Sequence, residues 1–161
     1  MGAAHDLAQV NVMRLRAPLD SPELAAFVAA LDPVNALAEQ APGFVWRLKT
    51  AAGNSTALRI FEDDTLVVNM SIWRSLQALT DYVYRTAHAE IMRRRREFAL
   101  PIPEASLALW WAAPGDRPTI AEAEERLRHL RAHGPTPFAF GIKSPFAAPS
   151  AAGDASAGDA Q

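Results

Sequence analysis

Residues 65–73, TLVVNMSIW, constrain this chain more than any other stretch. They hold no glycine or proline, alternate in character, and run directly into a long helical pattern. In an extended strand successive side chains point to opposite faces. Leu66, Val68, Met70 and Ile72 therefore share one face, and polar Asn69 and Ser71 lie on the other. The first face reads as ordinary core and the second as the wall of something wetter. The helical pattern that follows carries Tyr82, Tyr84, His88 and four successive arginines, Arg93–Arg96. A site is expected between that strand face and that helix.

The chain has 161 residues, enough for one domain with a real core. Half of them are hydrophobic, which indicates a globular protein. The net charge of -2 argues against a nucleic-acid binder driven by phosphate neutralisation. Cysteine is absent, which excludes disulfides, thiolate nucleophiles and cysteine-ligated metals. No apolar run approaches the ~20 residues that span a bilayer. The start, MGAAHDLAQV, lacks the basic and apolar regions of a secretory signal, so a cytoplasmic location is the default expectation.

Residues 7–15 alternate like a strand, with Ala8, Val10 and Val12 on one side and Leu7, Gln9, Asn11, Met13 and Leu15 on the other. Asp20 or Ser21 is a plausible cap for a helix over 22–40, in which Pro33 marks a kink or division. Residues 44–50 and 56–61 read as strands around a Gly53-Asn54 hairpin turn. The strand at 65–73 comes next, and then a helix over 74–98. A strand over 107–112 follows, and then a helix over 120–132 with a Thr119-x-x-Glu122 capping box and Gly134 past its end. Residues 138–142 read as a final short strand. Residues 147–161 are too poor in bulky apolar side chains to pack and are expected to form a disordered tail, leaving one domain over 6–146.

This order predicts an α+β fold: an antiparallel sheet with helices on one face, built on a β-α-β-β-α-β ferredoxin-like core with an added C-terminal helix and strand. One sheet face must then be apolar, and the other needs its own cover or meets water. Gln9, Asn11, Asn69 and Ser71 collect on that second face with Met13 and Val67. Trp46 and one of Trp110 and Trp111 are expected to join it. Such a mixed face suits a dimer interface, with or without a ligand cavity.

His88 is the one histidine in the informative stretch, spaced i, i+4, i+8 with Tyr84 and Met92. It suits a general base or a ligand to metal or heme, although a packing role is the commoner use of such a residue. His129 and His133 are i, i+4 at a helix C-terminus, where the macrodipole explains them without a metal. Arg93–Arg96 span most of a helix circumference; ion pairing with Glu90, Glu97 or the 62–64 acidic turn weighs more than an anion clamp. No G-x-S-x-G, P-loop or Rossmann fingerprint is present.

The stretches LAQVNVMRLRAPLDSPE, NALAEQAPGFVWRL, VVNMSIWRSLQALTDYVYRTAH, RRRREF, LALWW, PTIAEAEERLRHLRAHGPTPFAF and SPF resemble a bacterial family of unknown function within the dimeric α/β-barrel superfamily. The resemblance covers about residues 6–146. Where that family carries a Trp-Phe pair after the arginines, this chain has Phe98-Ala99. The resemblance implies a homodimer of ferredoxin-like subunits whose sheets form a barrel. It also implies a site between sheet and helices, as in the antibiotic-biosynthesis and heme-degrading monooxygenases.

The heme-degrading group places an asparagine, a tryptophan and an axial histidine on the heme, and Asn11, Tyr82 and His88 fit that outline. Tyr82 replaces the tryptophan, and six residues on an unbroken helix leave Tyr82 and His88 on faces about 120° apart. Without a helix break they could not meet one ligand, so heme is discounted and no cofactor is expected, with heme kept as the lesser alternative. The resulting expectation is a monooxygenase-like enzyme acting on a small aromatic substrate. Its catalytic residues are His88, moving a proton, and Asn11, orienting a substrate oxygen. Trp46, Asn69, Ser71, Trp73, Tyr82, Tyr84 and Arg95 complete the candidate pocket. The alternative is a small-molecule-binding or structural dimer without catalysis; neither nucleic acid nor membrane is an expected partner.

Overall fold

A computed structural model of the protein describes residues 4–49, 58–86 and 88–149. The elements are β1 (Asp6–Leu15), α1 (Ala25–Gln40), β2 (Phe44–Arg47), β3 (Leu66–Trp73), α2 (Leu76–Arg85), α3 (His88–Arg93), β4 (Ala99–Leu100), β5 (Leu107–Ala112) and α4 (Ile120–His133). Single 3₁₀ turns precede α1 and follow α3. The expected hairpin turn at Gly53-Asn54 and most of the expected C-terminal tail lie outside the described residues.

All pairings in the five-stranded sheet are antiparallel. The strands run β2-β3-β1, and β1 carries both β4 and β5 on its other flank. With β4 a short addition, the order β2-β3-β1-β5 is compatible with the ferredoxin-like pattern. The sheet does not close into a barrel. The segment expected as a last strand over 138–142 forms only isolated bridges, Phe140 to Leu109 and Ala139 to Thr136.

Helices cover both faces of the sheet, a correction to the expected one-sided cover. Ala8, Val10, Val12, Val68, Met70, Ile72, Ala108 and Trp110 pack with Ala123, Leu127 and Leu130 of α4. Because α4 closes the fully apolar face, the amide-bearing face is the one under α1, α2 and α3. That face has two separate apolar clusters. At one end Leu7, Trp73 and Leu109 pack with Ala38, Leu79, Tyr82 and Phe140. At the other, Met13 and Leu15 meet Leu24, Phe27, Phe98 and Ile91. Gln9 and Asn11 lie between these ends on β1, opposite Ser71 and Asn69. The helices are thus seated at the two ends of the strands, where the side chains are bulky, and the middle row is polar.

Two local devices agree with their sequence signals. Thr119 Oγ1 accepts from the Glu122 N–H at 3.2 Å, and the Gly134 N–H donates to the Leu130 carbonyl with Gly134 at φ 74°. In contrast, Ser21 makes no side-chain cap.

Candidate functional site

The middle row is organised by one buried amide. Gln9, 5% exposed, donates through Nε2 to Asn69 Oδ1 at 2.7 Å and to Ser71 Oγ at 2.8 Å. Ser71 Oγ also accepts from Trp73 Nε1 at 2.8 Å. These side chains meet because the β1–β3 register sets Gln9 against Ser71 and Asn11 against Asn69. A buried polar group without partners costs free energy comparable to a lost hydrogen bond, so the mutual bonding is what permits this row inside the fold. Asn69 itself is exposed, so the row opens to solvent there.

From Trp73 the line continues through rings. Tyr82 stacks on Trp73 with centroids 5.1 Å apart, and Phe44 meets the same indole edge-on at 5.5 Å. The Tyr82 hydroxyl donates to the Val34 carbonyl of α1 at 3.1 Å. Its ring then lies 5.0 Å from the imidazole of His88. Tyr82 therefore joins the sheet, α1 and α3.

The Tyr82–His88 approach requires a break in the helix, and the break is at Thr86. The expected continuous helix over 74–98 is instead α2, α3 and a 3₁₀ turn over 95–97. Thr86 has extended backbone angles, φ -119° and ψ -179°. Its hydroxyl donates to the Tyr82 carbonyl at 2.6 Å and accepts from the His88 N–H at 3.2 Å. One side chain thus satisfies a carbonyl at the end of α2 and an N–H at the start of α3. The condition under which Tyr82 and His88 can meet is fulfilled.

Burial holds the His88 pKa below the usual imidazole value, against the smaller opposing effect of the Val83 carbonyl. His88 Nδ1 faces that carbonyl at 3.4 Å. A carbonyl can only accept, so Nδ1 carries the proton and Nε2 presents its lone pair. Burial also pushes the Tyr82 phenol up to about 12, against the opposing Arg47 cation. At neutral pH the aromatic line therefore holds a neutral phenol and a neutral imidazole.

Trp73, Ser71, Asn69, Tyr82 and His88 are brought together, and Asn11 stands beside Asn69. Three expected members are not. Trp46 faces the other side of the sheet, because a register shift between Phe44 and Trp46 puts Trp46 opposite Ile72. It packs against the α4-covered core. Tyr84 is 61% exposed, since the break at Thr86 ends the stripe it would share with His88 and Met92. Arg95 is exposed in the 3₁₀ turn. Of the paired indoles, Trp111 is on the amide face, opposite Leu7, and Trp110 is on the other.

Gln9 and Thr86 are the organising residues that the expected site omitted. Gln9 was visible as a polar residue in an alternating strand, but its role depends on the register with Ser71. A hydroxyl one turn after Tyr82 was the available signal for Thr86. Arg93 and Arg94 form ion pairs with Glu90 and Glu97, as the sequence suggested. His129 Nε2 lies 3.1 Å from Thr136 Oγ1, and no group of three or more potential metal ligands occurs among the described residues.

A groove of about 540 Å³ runs along α2, between it and the turn at 41–43. Arg74, Ser75, Asp81, Tyr82 and Thr86 contribute to its walls, and His88 does not. Gly43 permits the close approach of that turn: it has φ +83°, and a Cβ there would sit 2.5 Å from Ala78 Cβ. No helix among the described residues is long and apolar enough to cross a membrane.

Residues 6–156 match a family described as a domain of unknown function (DUF3291). No curated protein and no solved structure matches the chain.

Proposed function

The chain belongs to the DUF3291 family, and from its site geometry we infer that it binds a small aromatic molecule over the amide row between sheet and helices. The observation that carries this role is the exposed Asn69 on a central strand, between two apolar clusters on the same face. A sheet face that only had to pack would fill that row with apolar side chains. Convergent polar groups between apolar walls are the ordinary composition of a ligand site.

A catalytic extension is favoured by one observation. His88 is held neutral with Nδ1 on the Val83 carbonyl, which leaves Nε2 to accept a proton. Transfer of a phenolic proton to Nε2 leaves an electron-rich phenolate; a ring carbon then bonds dioxygen as a peroxide, and O–O cleavage keeps one oxygen on the ring as a quinone and releases the other as water, the substrate supplying the electrons. Asn11 would orient the substrate oxygen. This is a cofactor-independent, monooxygenase-like role.

This role calls for no heme. The Tyr82 ring packs against the imidazole, and a macrocycle in the groove along α2 would not meet His88, which is not in its lining. Homodimerisation through the sheets, the superfamily's arrangement, would require α4 to leave the apolar face. Sedimentation measures directly whether the chain pairs.

The binding role is tested by titrating a panel of phenols and quinols while following the Trp73 indole N–H and the His88 ring by NMR. Shifts at both residues support it; shifts confined to other surfaces refute it. Oxygen uptake that His88→Gln abolishes, with binding retained, supports the catalytic extension. Uptake unchanged in that variant rejects it.

A further inference from the structure

Resting on the ligand-binding role inferred above, we propose that the ligand carries a carboxylate or similar oxyanion, received at the open end of the amide row by Asn69 and Lys49. The orientation of the Asn69 amide follows from its neighbours. Gln9 Nε2 donates to Asn69 Oδ1, so the Asn69 carbonyl oxygen is turned inward and its NH₂ group outward. Gln9 is held in that sense by its second donation, to Ser71 Oγ, which Trp73 Nε1 also reaches. The exposed edge of the row is therefore a donor edge.

Lys49 is brought to the same edge by strand register. Arg47 stands opposite Ser71, and the Leu48 N–H donates to the Met70 carbonyl at 2.8 Å. Continuing that register by one residue sets Lys49 opposite Asn69, on the same face of the sheet. Lys49 is exposed and has no ion-pair partner among the described residues. The strand side chains along the amide-face row (Gln9, Asn11, Asn69, Ser71, Leu107 and Leu109) include no carboxylate, and the Glu39 carboxylate beside the row is engaged at 2.7 Å by Arg47, opposite Ser71. An outward NH₂ beside an unpaired ammonium, with the neighbouring Glu39 carboxylate taken by Arg47, matches an anionic oxygen better than a donor group. The apolar body of the ligand then lies inward, toward Leu107 and the flanking clusters.

The test compares two probes with one ring and different charge, 4-hydroxybenzoate and 4-hydroxybenzamide, each titrated into the full chain and followed at the Trp73 indole N–H. The benzoate is expected to bind about tenfold more tightly, with added salt weakening the benzoate alone. Lys49→Gln is expected to remove most of that preference. Asn69→Asp keeps an oxygen for Gln9 but replaces the outward donor with negative charge, and is expected to reverse the preference. Both positions are exposed, and circular dichroism checks that each variant remains folded. Equal binding of the two probes to the unaltered chain overturns the anion assignment and leaves the ligand-binding role standing. A benzoate preference that survives both substitutions also overturns it. If neither probe binds, the ligand-binding role fails and the assignment fails with it.

Discussion

Tyr82 and His88 bring their rings to 5.0 Å across a single interruption of the helix at Thr86. The interruption turns two residues that would face about 120° apart into neighbours. It also buries the imidazole against the Val83 carbonyl. The pH behaviour of the site follows from this one arrangement.

His88 in the folded chain has a pKa below its ordinary value of 6.5, with burial as the main cause. The unfolded chain therefore takes up the proton first as pH falls. Stability is at its plateau above pH 6.5 and declines below it, toward the folded-state value. The decline from this group has a limit of about 1.4 kcal/mol per pH unit. Denaturant unfolding of the normal chain and of His88→Gln at several pH values measures it, and the variant is expected to have the flatter profile.

Thr86→Val keeps the shape of the side chain and removes its hydroxyl. The Tyr82 carbonyl and the His88 N–H both lose a partner. A cost of about 1–2 kcal/mol is expected. The His88 ring resonances should move in the same variant, because the hydroxyl also sets where α3 begins. Loss of stability without that movement would show that the hydroxyl does not position the imidazole.

Ser71→Ala leaves Trp73 Nε1 without its acceptor and removes one of the two bonds of Gln9. Both groups are buried, so a loss of about 1–3 kcal/mol is expected. Trp73→Phe in the same background removes the orphaned donor. The double variant should therefore lose less than the sum of the two single changes, as a double-mutant cycle will measure.

Tyr82→Phe deletes the bond to the Val34 carbonyl while the ring can stay on Trp73. About 1 kcal/mol is expected from this change. Tyr82→Ala also empties the space between Trp73 and His88, and about 3–5 kcal/mol is expected. Equal losses in the two variants would assign the role of Tyr82 to its hydroxyl alone.

Gly43→Ala meets two obstacles, a φ of +83° and the Cβ of Ala78. The left-handed backbone costs about 1–2 kcal/mol and the overlap adds about 1–3 kcal/mol. Ala78→Gly in the same chain relieves the second obstacle only. Thermal unfolding of the pair should therefore show partial rescue.

Much of the secondary structure was legible in local patterns. The alternation of residues 7–15 and 65–73, the capping box at Thr119 and the stop at Gly134 depend on residues close in sequence, so β1, β3 and α4 fall where those patterns place them. The polar row was legible for the same reason, since the parity of a strand assigns Asn69 and Ser71 to one face. Trp46 marks the limit of that logic. One register shift reverses parity, and the pairing partner decides whether it occurs.

Local sequence therefore determined which strands carry amides and where the helices start and stop. Only the tertiary structure decided which sheet face lies under which helix, because strand parity divides the side chains between two faces without saying which helix covers either, and α4 packs on the unbroken apolar one. It also decided that Tyr82 and His88 are neighbours. One hydroxyl at Thr86 satisfies two backbone groups that a continuous helix would have paired with the Thr86 N–H and the Tyr84 carbonyl, and no periodicity in the chain records that exchange.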